Sequence, residues 1–194
     1  MINLLVKTSV ERLIRKGIID ESERELYCFG ANGLYCFLIN IITSMAIGAL
    51  FGMLWQSLLF SAAYIPLRSY VGGYHAKTPG MCYFLSTLLI ASVLVVLKYV
   101  PFSTDGMYIA LVVSTAVIFL KAPVESENKP LSARERQEYG RKAKGIALIE
   151  LLICVIACNL FPDGVECVVA AICGSSLLLV FKILDENKIN FRRW

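Results

Sequence analysis

The sequence predicts an all-α, polytopic membrane protein with about six transmembrane helices and an N-terminal amphipathic helix lying at the bilayer surface. Three observations carry that reading. Charged residues make up 18% of the chain and hydrophobic residues 57%, whereas an ordinary soluble domain carries about 25% charged residues. The apolar residues gather into runs long enough for membrane helices, separated by short polar turns. The basic residues fall almost entirely into alternate connections, the pattern of a chain with one cytoplasmic side. At 194 residues a single domain is expected. It divides into an amphipathic segment 1–25, a transmembrane core 26–184 and a polar tail 185–194.

Residues 1–25 carry Lys7, Arg12, Arg15, Lys16 and Arg24 among apolar residues at helical spacing: Ile2, Leu5, Val6, Val10, Leu13, Ile14 and Ile18. The segment is too charged for the core of a signal peptide and suits a helix on the cytoplasmic leaflet. From Leu26 to Leu67 no residue is charged. That is too long for one span of about 20 residues. Gly48, Gly52, Trp55 and Gln56 mark a turn, which predicts helices near 27–50 and 54–67, the second short, tilted or re-entrant. Further spans are predicted near 81–99, 107–121, 146–161 and 165–183. Residues 121–145 read as a polar connection with helical character around Ala133 to Lys144.

With the N-terminus in the cytoplasm, Lys and Arg number five in the N-terminal segment, two in 68–80, seven in 121–145 and four at the C-terminal end, leaving only Lys98 on the other face. The positive-inside rule then favours both termini inside. The basic segments also suit an amphipathic or acidic peptide. Topology alone accounts for them equally well.

The stretch with chemistry in it is Arg68-Ser-Tyr-Val-Gly-Gly-Tyr-His75-Ala-Lys-Thr-Pro-Gly-Met-Cys82, which holds the only histidine. Thiols attack as thiolates, and a free cysteine with a pKa of about 8.5 is mostly protonated at neutral pH. An imidazole can take that proton, and a helix N-terminus stabilises the anion. Pro79-Gly80 before an apolar run predicts a helix start, with Cys82 in its first turn and His75 in the loop before it. Gly72, Gly73 and Gly80 offer the positive φ that a tight return requires. Taken singly, a lone His, a membrane Cys and a Gly-Gly pair are more often structural than catalytic. The combination points to a cysteine nucleophile with a histidine base.

The seven cysteines include no C-x-x-C pair. The six apart from Cys82 read as small apolar packing residues, and no metal site is expected from their spacings. Glu150 lies inside the fifth apolar run, and intramembrane carboxylates are functional candidates. An ion pair with Lys144 or Arg68 is the reading preferred here. Asn128 is a candidate to orient His75, as an amide does in Cys-His-Asn proteases.

Arg-x-x-x-Gly-Gly-x-His-Ala, with Cys seven residues after the His, resembles the signature of the accessory gene regulator protein B (AgrB) family, membrane peptidases that process quorum-sensing propeptides. A second stretch, Ala122-Pro-Val-Glu-Ser-Glu-Asn-Lys-Pro-Leu131, is similar to the segment that follows the family's fourth hydrophobic stretch. The resemblance implies that His75 and Cys82 are the catalytic pair and that Arg68, Gly72 and Gly73 support them. It implies a cysteine endopeptidase that cuts the C-terminal part from a propeptide through a thioester and enables thiolactone cyclisation. Its expected partners are that amphipathic propeptide with an acidic C-terminal part, the lipid bilayer and a second copy in a homodimer. No cofactor or nucleic acid is expected. The expected location is the cell membrane, with the active site on the cytoplasmic side. The alternative is a peptide transporter or export component, which six spans and Glu150 permit, although no P-loop and no inverted repeat of broken helices is apparent.

Overall fold

The computed structural model describes residues 2–73, 79–101, 103–125, 131–158 and 160–191. Among them the chain is helical almost throughout: α1 (Ile2–Arg15), α2 (Arg24–Phe51), α3 (Leu54–Val71), α4 (Pro79–Tyr99), α5 (Thr104–Lys121), α6 (Ala133–Ala157) and α7 (Pro162–Phe191). Contacts group the chain into two units, residues 2–43 and 44–191.

In the first unit the amphipathic pattern of α1 buries Val6 and Val10, with Ile19 buried just beyond the helix. Arg12 and Arg15 lie in the last turn, where cations offset the negative end of the helix dipole. Gly17 (φ +65) closes α1: its N–H bonds the Ile14 carbonyl at 2.9 Å, and the Ile18 N–H bonds that of Leu13 at 3.1 Å. This is the paired bonding of a Schellman end. Arg24 bridges Glu11 at 3.1 Å and Glu21 at 3.0 Å. Both are solvent-facing pairs, each worth about 0–1 kcal/mol.

The same device ends α2. Gly52 (φ +69) donates to Ala49 O at 3.0 Å and Met53 to Gly48 O at 2.7 Å, which turns the chain into α3 where the sequence predicts a turn. Ser57 Oγ then donates to Ser44 O at 2.8 Å. Lys98 Nζ donates to Phe51 O at 2.8 Å, so the one cation apart from the basic clusters serves as a C-cap. A Cβ on Gly48 would stand 2.6 Å from Ser57 Cβ and 3.2 Å from Leu54 Cα. Gly48→Ala is therefore expected to destabilise the protein by about 1–3 kcal/mol through overpacking. Gly30→Ala, with nothing within 4 Å, is expected to be neutral or stabilising. Thermal unfolding in detergent compares the two.

In the second unit α7 is the central helix and packs against α3, α4, α5 and α6. One core joins Leu67 and Val71 of α3, Leu111 and Ile118 of α5, Ala143, Ala147 and Cys154 of α6, and Ile172 and Leu179 of α7. A second joins Phe60 and Ala63 of α3, Ile90 and Leu94 of α4, and Cys167 and Ala171 of α7. Cys154 and Cys167 are thus packing residues, and all seven cysteines are free thiols.

Four helical stretches are long and apolar enough to cross a bilayer by length and composition: Glu21–Phe51, Gly80–Tyr99, Thr104–Lys121 and Pro162–Asp185. Half of the α7 window is buried inside the protein, against 6% for the first stretch. The first therefore presents apolar side chains such as Phe29 and Leu50 outward, and lipid is the environment that accommodates them. The predicted second and fifth spans form as α3 and α6 but are less apolar. Arg68 and Gln56 interrupt α3, and the first half of α6 is charged. α6 is also longer than predicted: the helical stretch 133–144 and the apolar run after it form one 25-residue helix. Ser132 and Glu135 start it with a reciprocal capping box, which satisfies two otherwise orphaned N–H groups. α7 likewise continues to Phe191, into the segment predicted as a polar tail.

Candidate active site

The last turn of α3 carries Arg68, and the helix stops where the Gly72 N–H bonds the Arg68 carbonyl at 3.3 Å. Gly72 has φ +76 and ψ −153, a conformation open essentially to glycine alone. Gly73 has φ +120. These two positions bear out the expectation of positive φ. Gly80 does not, because it lies within the right-handed helix α4.

The turn is pinned from two sides. Val124 N–H donates to the Val71 carbonyl at 3.0 Å, and Gly72 and Val124 form an isolated parallel bridge. A Cβ on Gly72 would collide with the Val124 carbonyl oxygen. A Cβ on Gly73 would lie 2.7 Å from Arg68 Nη1 and 3.1 Å from the Leu178 carbonyl oxygen. Three segments distant in sequence, the ends of α3 and α5 and the middle of α7, therefore meet at the glycine pair.

α4 begins at Pro79, in agreement with the helix start predicted from Pro79-Gly80. Cys82 is in its first turn and half-buried. The N–H groups of such a turn have no partner within the helix. The Arg68 guanidinium and the Cys82 thiol both lie within electrostatic reach of the Tyr64 hydroxyl. Tyr64 is held by stacking on Phe60 at 5.2 Å between ring centroids. The structure thus brings Arg68 and Gly73 together and adds Tyr64, a residue the sequence reading missed, which links this pair electrostatically to Cys82. Its signal was the spacing: Tyr64 is four residues before Arg68, on the same helix face.

Beside this group is a cleft of about 290 Å³ whose lining includes Tyr64, Arg68, Gly73, Val124, Glu125 and Tyr139. That volume is at the lower end for ligand pockets and suits a side chain or two of an extended peptide. Tyr139 packs edge-on against Tyr70 at 5.4 Å, and Lys142 Nζ stands 5.2 Å from the centre of the Tyr70 ring. The second motif enters the site through Val124 and Glu125, and Glu125 faces Arg136 at 3.7 Å. His75 and Asn128 lie outside the described residues.

Glu150 departs from the expected ion pair with Lys144 or Arg68: the ion pairs among the described residues are Arg24–Glu11, Arg24–Glu21 and Arg136–Glu125. Glu150 is buried on the core face of α6, while Lys144 is exposed. Among the described residues its Oε2 has no hydrogen-bond partner. Six residues along an α-helix amount to about 240° of rotation, so Lys144 faces away from it.

The family model for accessory gene regulator B matches residues 2–183. An AgrB-like protein of Clostridium perfringens strain SM101 is 26% identical over 184 residues, 89% of this chain and 86% of the relative. A second AgrB-like protein, from Clostridium perfringens strain 13, is 24% identical over 84% of this chain and 80% of its own. The accessory gene regulator protein B of Staphylococcus intermedius is 24% identical over 79% of this chain and 83% of its own. No solved structure matches the chain.

Proposed function

The chain belongs to the accessory gene regulator B family, and from that premise we propose that it is a membrane cysteine endopeptidase that processes an autoinducer propeptide for quorum sensing. The observation that carries the reading is Cys82 in the first turn of α4, within electrostatic reach of Tyr64, which with Arg68 lines a cleft suited to a side chain or two of a peptide.

His75 takes the Cys82 thiol proton, and the thiolate attacks the scissile carbonyl. Backbone N–H groups at the start of α4 face the oxyanion. His75 returns the proton to the leaving amine, the C–N bond breaks, and the N-terminal part of the propeptide remains on Cys82 as a thioester. A cysteine within that part then attacks the thioester, releasing a cyclic thiolactone and restoring the Cys82 thiol. The second exchange is close to balanced, one thioester for another. The first is uphill, because a thioester is a higher-energy acyl group than an amide. Departure of the acidic C-terminal fragment draws it forward, and a partly dry site protects the intermediate from water. Tyr64 supplies a hydroxyl within electrostatic reach of the nucleophile, and Arg68 a cation near that hydroxyl. Active site and termini face the cytoplasm, where thiols stay reduced.

The test is reconstitution in liposomes with the propeptide encoded beside the gene, followed by mass spectrometry. The expected product is an adduct on Cys82 equal in mass to the N-terminal part of the propeptide. An untouched propeptide, in a preparation that moves intact peptide across the bilayer, overturns the reading in favour of a transporter.

A further inference from the structure

Hydroxyls inside helices usually bond a carbonyl one turn back. Ser69 bonds Ile65 O at 2.7 Å, Ser86 bonds Cys82 O at 3.0 Å, Thr87 bonds Tyr83 O at 2.9 Å and Ser176 bonds Cys173 O at 2.9 Å. Thr115 and Ser175 do not follow this habit. Their residues are only 7% and 0% exposed, yet among the described residues Thr115 Oγ1 and Ser175 Oγ have no partner. The same is true of Glu150 Oε2, in a residue 7% exposed.

These three orphans come from three helices that pack on one another, α5, α6 and α7. Each lies on the core face of its helix. Thr115 falls between Leu111 and Ile118, Glu150 between Ala147 and Cys154, and Ser175 between Ile172 and Leu179, and all six flanking residues belong to one cluster.

They are also level with one another. α5 and α6 run antiparallel: Tyr108 lies near Cys158, and Gly140 abuts Pro123 just past the end of α5. Thr115 is midway between Tyr108 and Pro123, and Glu150 is within a residue of midway between Cys158 and Gly140. α5 and α7 are tied where Ser114 Oγ meets Cys173 Sγ at 3.3 Å, which sets Ser175 within a turn of Thr115. One carboxylate and two hydroxyls thus lie at about one height on the core faces of three helices packed on one another.

A buried carboxylate without a counter-charge is costly. The next basic residues on these helices do not supply one. Lys182 is seven residues beyond Ser175, about 10 Å along α7, Lys121 is at the far end of α5, and Lys144 faces outward. The donors are hard oxygens, with a single ionisable carboxyl among them. Divalent ions favour more carboxylates or bound water, and among the described residues no cluster of His, Cys, Asp and Glu suits a transition metal. We propose that Glu150, Thr115 and Ser175 form a binding site for one sodium ion, which ties α5, α6 and α7 together about a turn deeper in the bundle than the Gly73–Leu178 contact.

The experiment is thermal unfolding of the purified full-length protein in detergent, titrated with NaCl, KCl or choline chloride at constant ionic strength and one pH. Sodium is expected to raise the melting temperature saturably, with no comparable rise in choline. Glu150→Gln is expected to abolish the sodium response. Thr115→Val and Ser175→Ala are expected to raise the half-saturating sodium concentration about tenfold each, the loss of one ligand worth about 1.4 kcal/mol. Equal melting in the three salts overturns the proposal, as does a Glu150→Gln protein that keeps its sodium response. Should Glu150→Gln fail to fold, an unchanged response in both hydroxyl variants overturns it.

Discussion

Cys82→Ala is expected to lower propeptide cleavage by roughly 10³-fold or more, because removal of a covalent nucleophile leaves only binding and oxyanion stabilisation. The substitution removes one sulfur from a half-buried position in the first turn of α4, a site where alanine is a good helix former. The variant should therefore fold and melt like the parent, and the loss should appear in the chemical step. His75→Ala is expected to cost roughly 10²–10⁴-fold, the range for a positioned general base. The double variant should be little worse than Cys82→Ala alone, since the two act as a unit. Single-turnover cleavage in liposomes measures all three. A Cys82→Ala protein that still cuts at a comparable rate would remove the nucleophile from the mechanism. Tyr64→Phe is the finer probe. It deletes the hydroxyl within electrostatic reach of Arg68 and Cys82 while keeping the ring stacked on Phe60, so a fall in kcat with unchanged melting would mark Tyr64 as a positioning residue for Cys82.

Much of this arrangement was legible in the chain. Hydropathy runs and turn residues gave the helices, since a long apolar segment closed by Gly52 has few other ways to satisfy its backbone in a membrane. Pro79 marked the start of α4, and with it the environment of Cys82. What stayed hidden was long-range. Nothing local in Gly72 reveals that Val124, more than fifty residues later, donates to Val71 beside it. Charge concealed α6: residues 133–144 look like a polar connection, yet they carry strong helix formers and follow the Ser132–Glu135 capping box. Glu150 was visible as an anomaly, but the nearby lysine made an ion pair attractive. Only the packing shows that Glu150 is buried on the core face of α6 and that, among the described residues, its Oε2 has no hydrogen-bond partner.

The largest structural effect is expected from Gly72→Ala. An alanine at φ +76 and ψ −153 bears a backbone penalty of about 1–3 kcal/mol. Its Cβ also collides with the Val124 carbonyl oxygen, and backbone cannot swing aside as a flexible side chain can. Relief requires the 122–125 segment to withdraw, which breaks the Val124–Val71 hydrogen bond and opens one wall of the cleft. The total should reach about 3 kcal/mol or more, a large part of the typical 5–15 kcal/mol stability of a domain. Gly73→Ala should act at the Arg68 guanidinium and the Leu178 carbonyl instead, with a smaller loss of stability because the guanidinium can shift. Gly80→Ala is the contrasting case: it has open space around it and sits in α4, so alanine should stabilise by up to about 1 kcal/mol. Melting temperature and cleavage rate, read together, separate two roles for these glycines. If Gly72→Ala melts lower and cuts poorly while Gly80→Ala melts higher and cuts normally, the glycine pair serves packing of the site. If Gly80→Ala melts higher but cuts poorly, substrate backbone passes close to the start of α4. If Gly72→Ala leaves both quantities unchanged, Val124 does not hold the α3 terminus, and the cleft cannot have the wall described for it.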